Sequence, residues 1–347
     1  MITAMFNGVM LAIGAALVVW ARRRGRAPVP GIVGALGVAA ALAVLLGEDG
    51  FGVMRLMSHA IFVHTVWVAL ALTLVLWRTA RGAALVFAVV GAVGLAVGVD
   101  AFFVEPSALT VSRVTIESET APRPLRIVVV SDLQLEAFGE HERRALAAAM
   151  AERPDMLLLP GDYIQQWEGP AYAAARDQLN AYMRELGFGA PLGAFAVPGN
   201  VDGPSWPAIF KDLPVTMFER TGTEVRDGIA VTGLDLSGSF DTRQKVERAA
   251  PFHVVVGHAP DFALGQIDAD LLVAGHTHGG QVQLPGVGPL LTLSRVPRAW
   301  AAGVTELAGG RTLVVSRGVG MERGYAPRLR FLCRPEIVVI EVVPRAR

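Results

Sequence analysis

Four stretches of the first hundred residues carry no charged side chain: 1–21, 27–47, 56–77 and 82–99. Each is close to the roughly 20 apolar residues that a helix needs to cross a hydrocarbon core. They predict four transmembrane helices, at about 2–21, 29–47, 57–77 and 82–103, forming a membrane domain over 1–104. No positive charge precedes the first stretch, so it does not read as a cleaved leader. Arg22, Arg23, Arg24 and Arg26 follow it instead, and Arg78 and Arg81 follow the third. The loop between the second and third helices holds Glu48, Asp49 and Arg55. Arginine-rich loops stay cytoplasmic. The chain is therefore expected to be a multi-pass protein of the cell membrane, with its N-terminus and its C-terminal domain outside the cytoplasm. His59 and His64, five apart, fall on different faces of an α-helix and read as neutral interfacial residues.

Beyond residue 104 the pattern changes. Short Val/Leu/Ile runs end in small or polar residues: Leu125–Val130 before Ser131-Asp132, Met156–Leu159 before Gly161-Asp162, and Ala194–Val197 before Gly199-Asn200. The series continues with His253–Val256 before Gly257-His258 and Leu271–Ala274 before Gly275-His276. Runs this short and this apolar predict strands buried on both faces. Helical patterns at 139–152 and 171–187 separate some of them, which predicts an α/β domain over 105–347. Thr312–Ser316 and Ile337–Val342 read as closing strands. Ligand sites of α/β sheets lie where strands end. Here successive ends present Asp132, Asp162, Asn200, His258 and the pair His276/His278.

Composition narrows the function. The 347 residues hold 31 Lys+Arg and 31 Asp+Glu, and 52% are hydrophobic. The first 104 residues carry a net charge of +4, which leaves −4 on the rest. A neutral-to-acidic domain is a poor grip for bulk nucleic acid, so no nucleic-acid partner is expected. The single cysteine, Cys333, excludes an intrachain disulfide framework and a cysteine zinc cluster. Carboxylate together with imidazole suits Mn, Fe or Zn. In Gly275-His276-Thr277-His278-Gly279-Gly280-Gln281, histidines at i and i+2 can straddle metals from a loop, and the glycines allow close backbone approach.

In their order, Asp132-Leu133-Gln134, Gly161-Asp162, Gly199-Asn200-Val201-Asp202, Gly257-His258 and Gly275-His276-Thr277-His278 resemble the motifs of the calcineurin-like metallophosphoesterases. The tail Ser316-Arg317-Gly318-Val319-Gly320, with Arg330 and Pro335-Glu336-Ile337, is similar to the membrane-anchored bacterial branch of that superfamily. The resemblance covers about 125–342. It implies two mixed sheets packed face to face and flanked by helices, and a phosphomonoesterase or phosphodiesterase with two divalent metal ions. Asp132 and His278, with Gln134, would hold the first ion. Asn200, His258 and His276 would hold the second, and Asp162 would bridge them. A metal-bound hydroxide would attack phosphorus, with Asp162, Asn200 and His276 carrying the chemistry and Arg317 and Asp202 meeting the substrate.

Two positions depart from the family. Asp-x-His reads Asp132-Leu133-Gln134, and an amide oxygen suits harder cations than imidazole does. Gly-Asn-His-Asp reads Gly199-Asn200-Val201-Asp202, and valine cannot donate a proton. The alternative function is thus a catalytically weakened protein that binds a phosphorylated ligand as sensor or scaffold. Substitutes for the lost group are His141, His253 and Arg317. His141 otherwise reads as a solvated residue of a first helical turn, and His253 as one meeting a partner at a sheet edge. Arg317 is as well suited to a salt bridge as to a phosphate. Trp206 is suited to packing or to covering a substrate. Anchoring points to membrane lipids as neighbours and to an envelope or lipid-linked phosphate ester as substrate.

Overall fold

The computed structural model describes residues 1–345; the last two residues of the domain expected over 105–347 lie outside the described residues. The chain divides into two compact units, Met1–Val104 with Glu322–Arg328, and Glu105–Met321 with Leu329 onward.

In the first unit, four helices among the described residues are long and apolar enough to cross a membrane: α1 (Ile2–Arg24), α2 (Val29–Leu46), α3 (Gly50–Leu76) and α4 (Arg81–Ser107). Gly25 ends α1 in a left-handed conformation, and its N–H reaches back to the Ala21 carbonyl. The third helix starts earlier than its charge-free run predicts. Asp49 caps it by accepting from the Gly52 N–H at 2.7 Å, which takes Arg55 out of the expected loop and into the helix. The expectation for His59 and His64 also changes. Residues Ala60–Thr65 form a π-helical turn, in which residues five apart stand above one another. Both rings consequently meet Asn7 of α1, His59 Nδ1 at 3.2 Å and His64 Nε2 at 3.0 Å. They form one polar cluster between helices, where a hydrogen bond replaces contact with solvent.

The second unit begins without a linker. Ahead of the first expected strand, at 125, the chain forms another, β1 (Thr110–Ser118), close behind the end of α4. Its outward residues alternate with Ser112, Val114 and Ile116, so it lacks the continuous apolar run that marks its neighbours. There follow β2 (Leu125–Val129), α5 (Glu140–Ala151), β3 (Met156–Leu159), α6 (Gly169–Glu185), β4 (Ala194–Ala196) and β5 (Val215–Met217). The remaining strands of the two large sheets are β6 (Gly222–Arg226), β7 (Ile229–Gly233), β8 (Phe252–Val256), β9 (Leu271–Ala274), β10 (Gly303–Leu307), β11 (Arg311–Val315) and β12 (Glu336–Pro344).

Two mixed sheets result. The first has the order β1-β12-β2-β3-β4-β5, with β2 to β5 parallel and β12 antiparallel to β2. The second has the order β10-β11-β9-β8-β7-β6, parallel at its centre and antiparallel at both edges. Alternation along each strand decides the layers. Ile127, Val129 and Leu158 of the first sheet join Val231, Val254, Val256 and Val273 of the second in one buried cluster, so the sheets pack face to face. Val128 and Leu157 point the other way, against Leu146 of α5 and Leu179 of α6. Val255, Leu272 and Leu313 of the second sheet cover Phe262 and Ala263 of a short 3-10 turn. This is the layered α/β arrangement expected from the strand runs. Both parallel stretches send their strand ends to the same rim.

Candidate metal centre

Every residue expected as a ligand sits just beyond a strand of that rim. Asp132 and Gln134 follow β2, Asp162 follows β3, Asn200 follows β4, His258 follows β8, and His276 and His278 follow β9. The backbone there is unusual. Asp132 (φ 51°), Gln134 (φ 41°), Asp162 (φ 58°), His276 (φ 68°) and His278 (φ 47°) all lie in the left-handed region. Such a conformation costs a non-glycine residue roughly 1–3 kcal/mol unless its surroundings impose it. The surroundings do so by hydrogen bonds between turns. Asp132 N–H donates to Gly161 O at 3.0 Å, and Gln134 N–H donates to Asp162 O at 2.8 Å. Across the sheets, His276 N–H donates to Asp132 Oδ1 at 2.9 Å. Gly199 and Gly275 permit this closeness. A Cβ on Gly199 would lie 2.1 Å from Asp162 Oδ1, and one on Gly275 would lie 2.3 Å from Asp132 Oδ2.

The side chains converge. Carboxylate and imidazole atoms of Asp132, Asp162 and His258, all buried, lie within 4.8 Å of one another. His258 Nε2 is 2.8 Å from Asn200 Oδ1 and 3.4 Å from Asp162 Oδ2. His278 Nε2 is 3.9 Å from Asp132 Oδ1, and the His258 and His276 rings are 4.9 Å apart. Gln134 is fully buried on the turn that carries Asp132.

Second contacts set the protonation of the rings. His258 Nδ1 is 2.7 Å from the Pro160 carbonyl, and His276 Nε2 is 3.1 Å from the Leu293 carbonyl. A carbonyl only accepts, so those nitrogens carry the protons, which leaves His258 Nε2 and His276 Nδ1 with lone pairs. Burial pushes the His258 imidazole well below its usual pKa, and the nearby His276 pushes it further down. Burial likewise lowers His276. Both rings are therefore neutral, the form that binds metal. His258 Nε2 thus turns a lone pair toward Asn200 Oδ1 and Asp162 Oδ2. Imidazole, amide and carboxylate acceptors gathered at one point, with Asp132 beside them, fit a divalent metal.

The residues expected at the substrate are committed elsewhere. The Asp202 carboxylate accepts from the N–H groups of Asp162, Tyr163 and Gly199, each at 2.8 Å. It ties the loops after β3 and β4 together. Burial pushes its carboxyl up to about 6, against the pull of those amides. The Arg317 guanidinium pairs with Glu336 at 2.5 Å and donates to Ser112 at 3.1 Å. Of the substitutes, His141 is half-buried, and its Nε2 meets the Val319 carbonyl at 2.9 Å. His253 is fully buried at the centre of the second sheet and not at its edge, 2.7 Å from Thr232 Oγ1. Val201 is buried and Trp206 stacks on Tyr163 at 5.8 Å, which is packing. Three contributors escape a reading of the sequence. Ser131 Oγ donates to the Asp132 carboxylate, the Pro160 and Leu293 carbonyls orient imidazoles, and Phe240 lies edge-on to His276 at 4.9 Å. Only Ser131, beside a ligand, offered a signal.

The sequence profile of the calcineurin-like phosphoesterases matches residues 125–280, the span that holds all of the ligand candidates. The chain is 31% identical to the metallophosphoesterase YkuE of Bacillus subtilis, over 68% of this chain and 86% of that one. It is 29% identical to the phosphodiesterase YaeI of Escherichia coli, over 63% and 83% respectively. Against the UDP-2,3-diacylglucosamine pyrophosphatase LpxG of Chlamydia muridarum the identity is 24%, over 62% and 83%.

Proposed function

Because the chain belongs to the calcineurin-like phosphoesterases, hydrolases acting on phosphate esters, we propose that it hydrolyses a phosphomonoester or phosphodiester with two divalent cations, Mn, Fe or Zn. Asp132, Gln134 and His278 would hold one cation, Asn200, His258 and His276 the other, with Asp162 serving both. The observation that carries the reading is the convergence of the Asp162, Asn200 and His258 lone pairs. Bound there, the cations supply an activated water and neutralise charge on the phosphate. The chain's own residues do the rest. The Pro160 and Leu293 carbonyls orient His258 and His276, and Asp202 locks the loops that carry Asp162 and Asn200. With only two carboxylates among the ligands, the loaded site stays net positive and attracts a phosphate. Arg317 and Asp202 act on the substrate only through the loops they position.

Residues 1–104 form the membrane domain, and Glu105–Met321 with the chain from Leu329 onward the hydrolase. The arginines at the end of α1 and after α3 support a hydrolase outside the cytoplasm, since such clusters stay inside. A membrane anchor and a relative named for a diacylglucosamine pyrophosphatase together support an envelope or lipid-linked substrate. The test is metal content and hydrolysis of bis-p-nitrophenyl phosphate by the full chain in detergent. We expect about two equivalents of metal, loss of turnover on chelation, and recovery with Mn, Fe or Zn. Turnover indifferent to chelation would sink the proposal.

The buried Val201 favours a second reading, a weakened enzyme that chiefly binds its ligand. No side chain at that position can protonate a leaving group, so esters with acidic leaving groups are favoured. Val201→His is expected to raise turnover of alkyl esters by about 100-fold, the lower end of the range for a positioned acid. Nitrophenyl esters should change little. Metal and phosphate binding without any turnover, in both proteins, would favour the second reading.

A further inference from the structure

Beside the ligand cluster opens a cavity of about 410 Å³. Its wall includes Phe240, Leu290, Leu291, Leu293, Arg295 and Arg298. Two contacts join it to the site. The Phe240 ring lies 4.9 Å from His276, and the Leu293 carbonyl accepts from the same imidazole. A molecule that places its phosphorus at the ligands has this cavity as a place for its remainder.

The wall is built oddly for a soluble ligand. Leu290, Leu291 and Leu293 are each between 40% and 48% exposed, within four residues of chain. Exposed apolar side chains clustered in this way mark an interaction surface. The backbone beneath them is not loose. Asp261 accepts from Ser294 Oγ at 2.5 Å and from Arg295 N–H at 3.0 Å. Thr292 is buried between the exposed leucines. The fold thus pins the loop at its base and holds its leucines toward solvent. Arg295 and Arg298 are exposed at the same cavity and have no ion-pair partner among the described residues. Exposed leucines beside two cations in a wall of mixed polarity match an amphiphile, with its chain on the leucines and its anionic groups toward the arginines and the ligand cluster. The chain's own membrane-crossing helices keep it where such molecules reside.

We propose that this cavity is the subsite for the alkyl or acyl chain of an amphiphilic phosphate ester. The inference rests on the phosphoesterase reading above and names the part of the substrate that lies away from phosphorus. The test uses the full chain in nanodiscs and p-nitrophenyl alkyl phosphates with ethyl, butyl, hexyl and octyl groups, so that the reacting bond is constant. For the unaltered protein, kcat/KM is expected to rise at least tenfold from ethyl to octyl. The double substitution Leu290→Ser, Leu291→Ser should flatten that slope to within threefold. Val225→Ser, at an exposed valine on the edge strand β6, should leave it intact, which controls for partition into lipid. Binding of ethylphosphonate and octylphosphonate, measured by calorimetry, supplies a readout that needs no turnover. A chain-length slope in binding that the double substitution removes, without hydrolysis, would uphold the subsite and fell the hydrolase reading. Equal values for ethyl and octyl in both assays would overturn the subsite. So would a p-nitrophenyl thymidine 5′-phosphate turned over faster than the octyl ester and slowed by the same substitutions, because a nucleoside would then occupy the cavity.

Discussion

Asp162→Asn is expected to abolish bound metal and to lower turnover by roughly a thousandfold or more, about 4 kcal/mol of lost transition-state stabilisation. The substitution keeps the volume and one oxygen, so Val201 N–H can still donate to Oδ1, as it does at 2.9 Å. What changes is Oδ2. There an amide NH2 replaces an anion that lies 3.4 Å from His258 Nε2. The new donor can satisfy the His258 lone pair directly and removes one anionic oxygen from the ligand cluster. The apo protein should melt no lower than the parent, since a buried carboxylate no longer has to be desolvated. Metal analysis and a melting curve on the same preparation check both parts. Retention of metal together with a tenth of the parent's turnover would remove Asp162 from the centre of the site.

Asp202→Asn should do the reverse, costing stability first and metal second. Its carboxylate accepts from Asp162, Tyr163 and Gly199, with both oxygens used. An asparagine offers one oxygen and turns an NH2 toward the remaining donors, so at least one buried amide loses its acceptor. Hydrogen bonds to a charged group are worth about 1.5–3 kcal/mol, and an unsatisfied buried amide costs a similar amount. A loss of about 3 kcal/mol is the expected result, seen as a fall of roughly 6–12 °C in Tm for a domain of this size. Metal affinity should drop about 10–100-fold, as it does when a group that supports a ligand is removed. A mutant with parental Tm and weakened substrate binding would instead return Asp202 to the substrate.

The two substitutions separate what each carboxylate does. Side by side in the sequence motifs, Asp162 and Asp202 look equivalent, each an aspartate just past an apolar run. One lies within 4.8 Å of a second carboxylate and an imidazole; the other faces backbone amides. That distinction lies in direction and not in spacing.

Much of the architecture was legible because burial writes itself into a chain. Strands covered on both faces, such as Met156–Leu159 and Leu271–Ala274, are continuous apolar runs, and they stand out from any window. The four helices long and apolar enough to cross a membrane are legible for the same reason. Thr110–Ser118 was hidden because one of its faces is wet. Its alternation of Val111, Arg113, Thr115 and Glu117 with Ser112, Val114 and Ile116 was the signal to use. His59 and His64 were misplaced because a period of 3.6 residues was assumed, where a π-helical turn runs at a longer one.

By itself, then, the order of residues determined which side chains avoid water, which strand ends carry ligands, and which family's motifs they compose. Tertiary structure alone decided how those ends close into a site. Asp132, Gln134, Asp162, His276 and His278 hold left-handed backbone that no local preference supplies, because hydrogen bonds from neighbouring turns hold them there. It also turned Asp202 to the amides and Arg317 to Glu336, and brought Phe240 and the 290–293 leucines beside the imidazoles. The physical reason is one of range. Hydrophobic burial is short-period and survives in the sequence, whereas hydrogen-bond direction depends on groups brought together from distant loops.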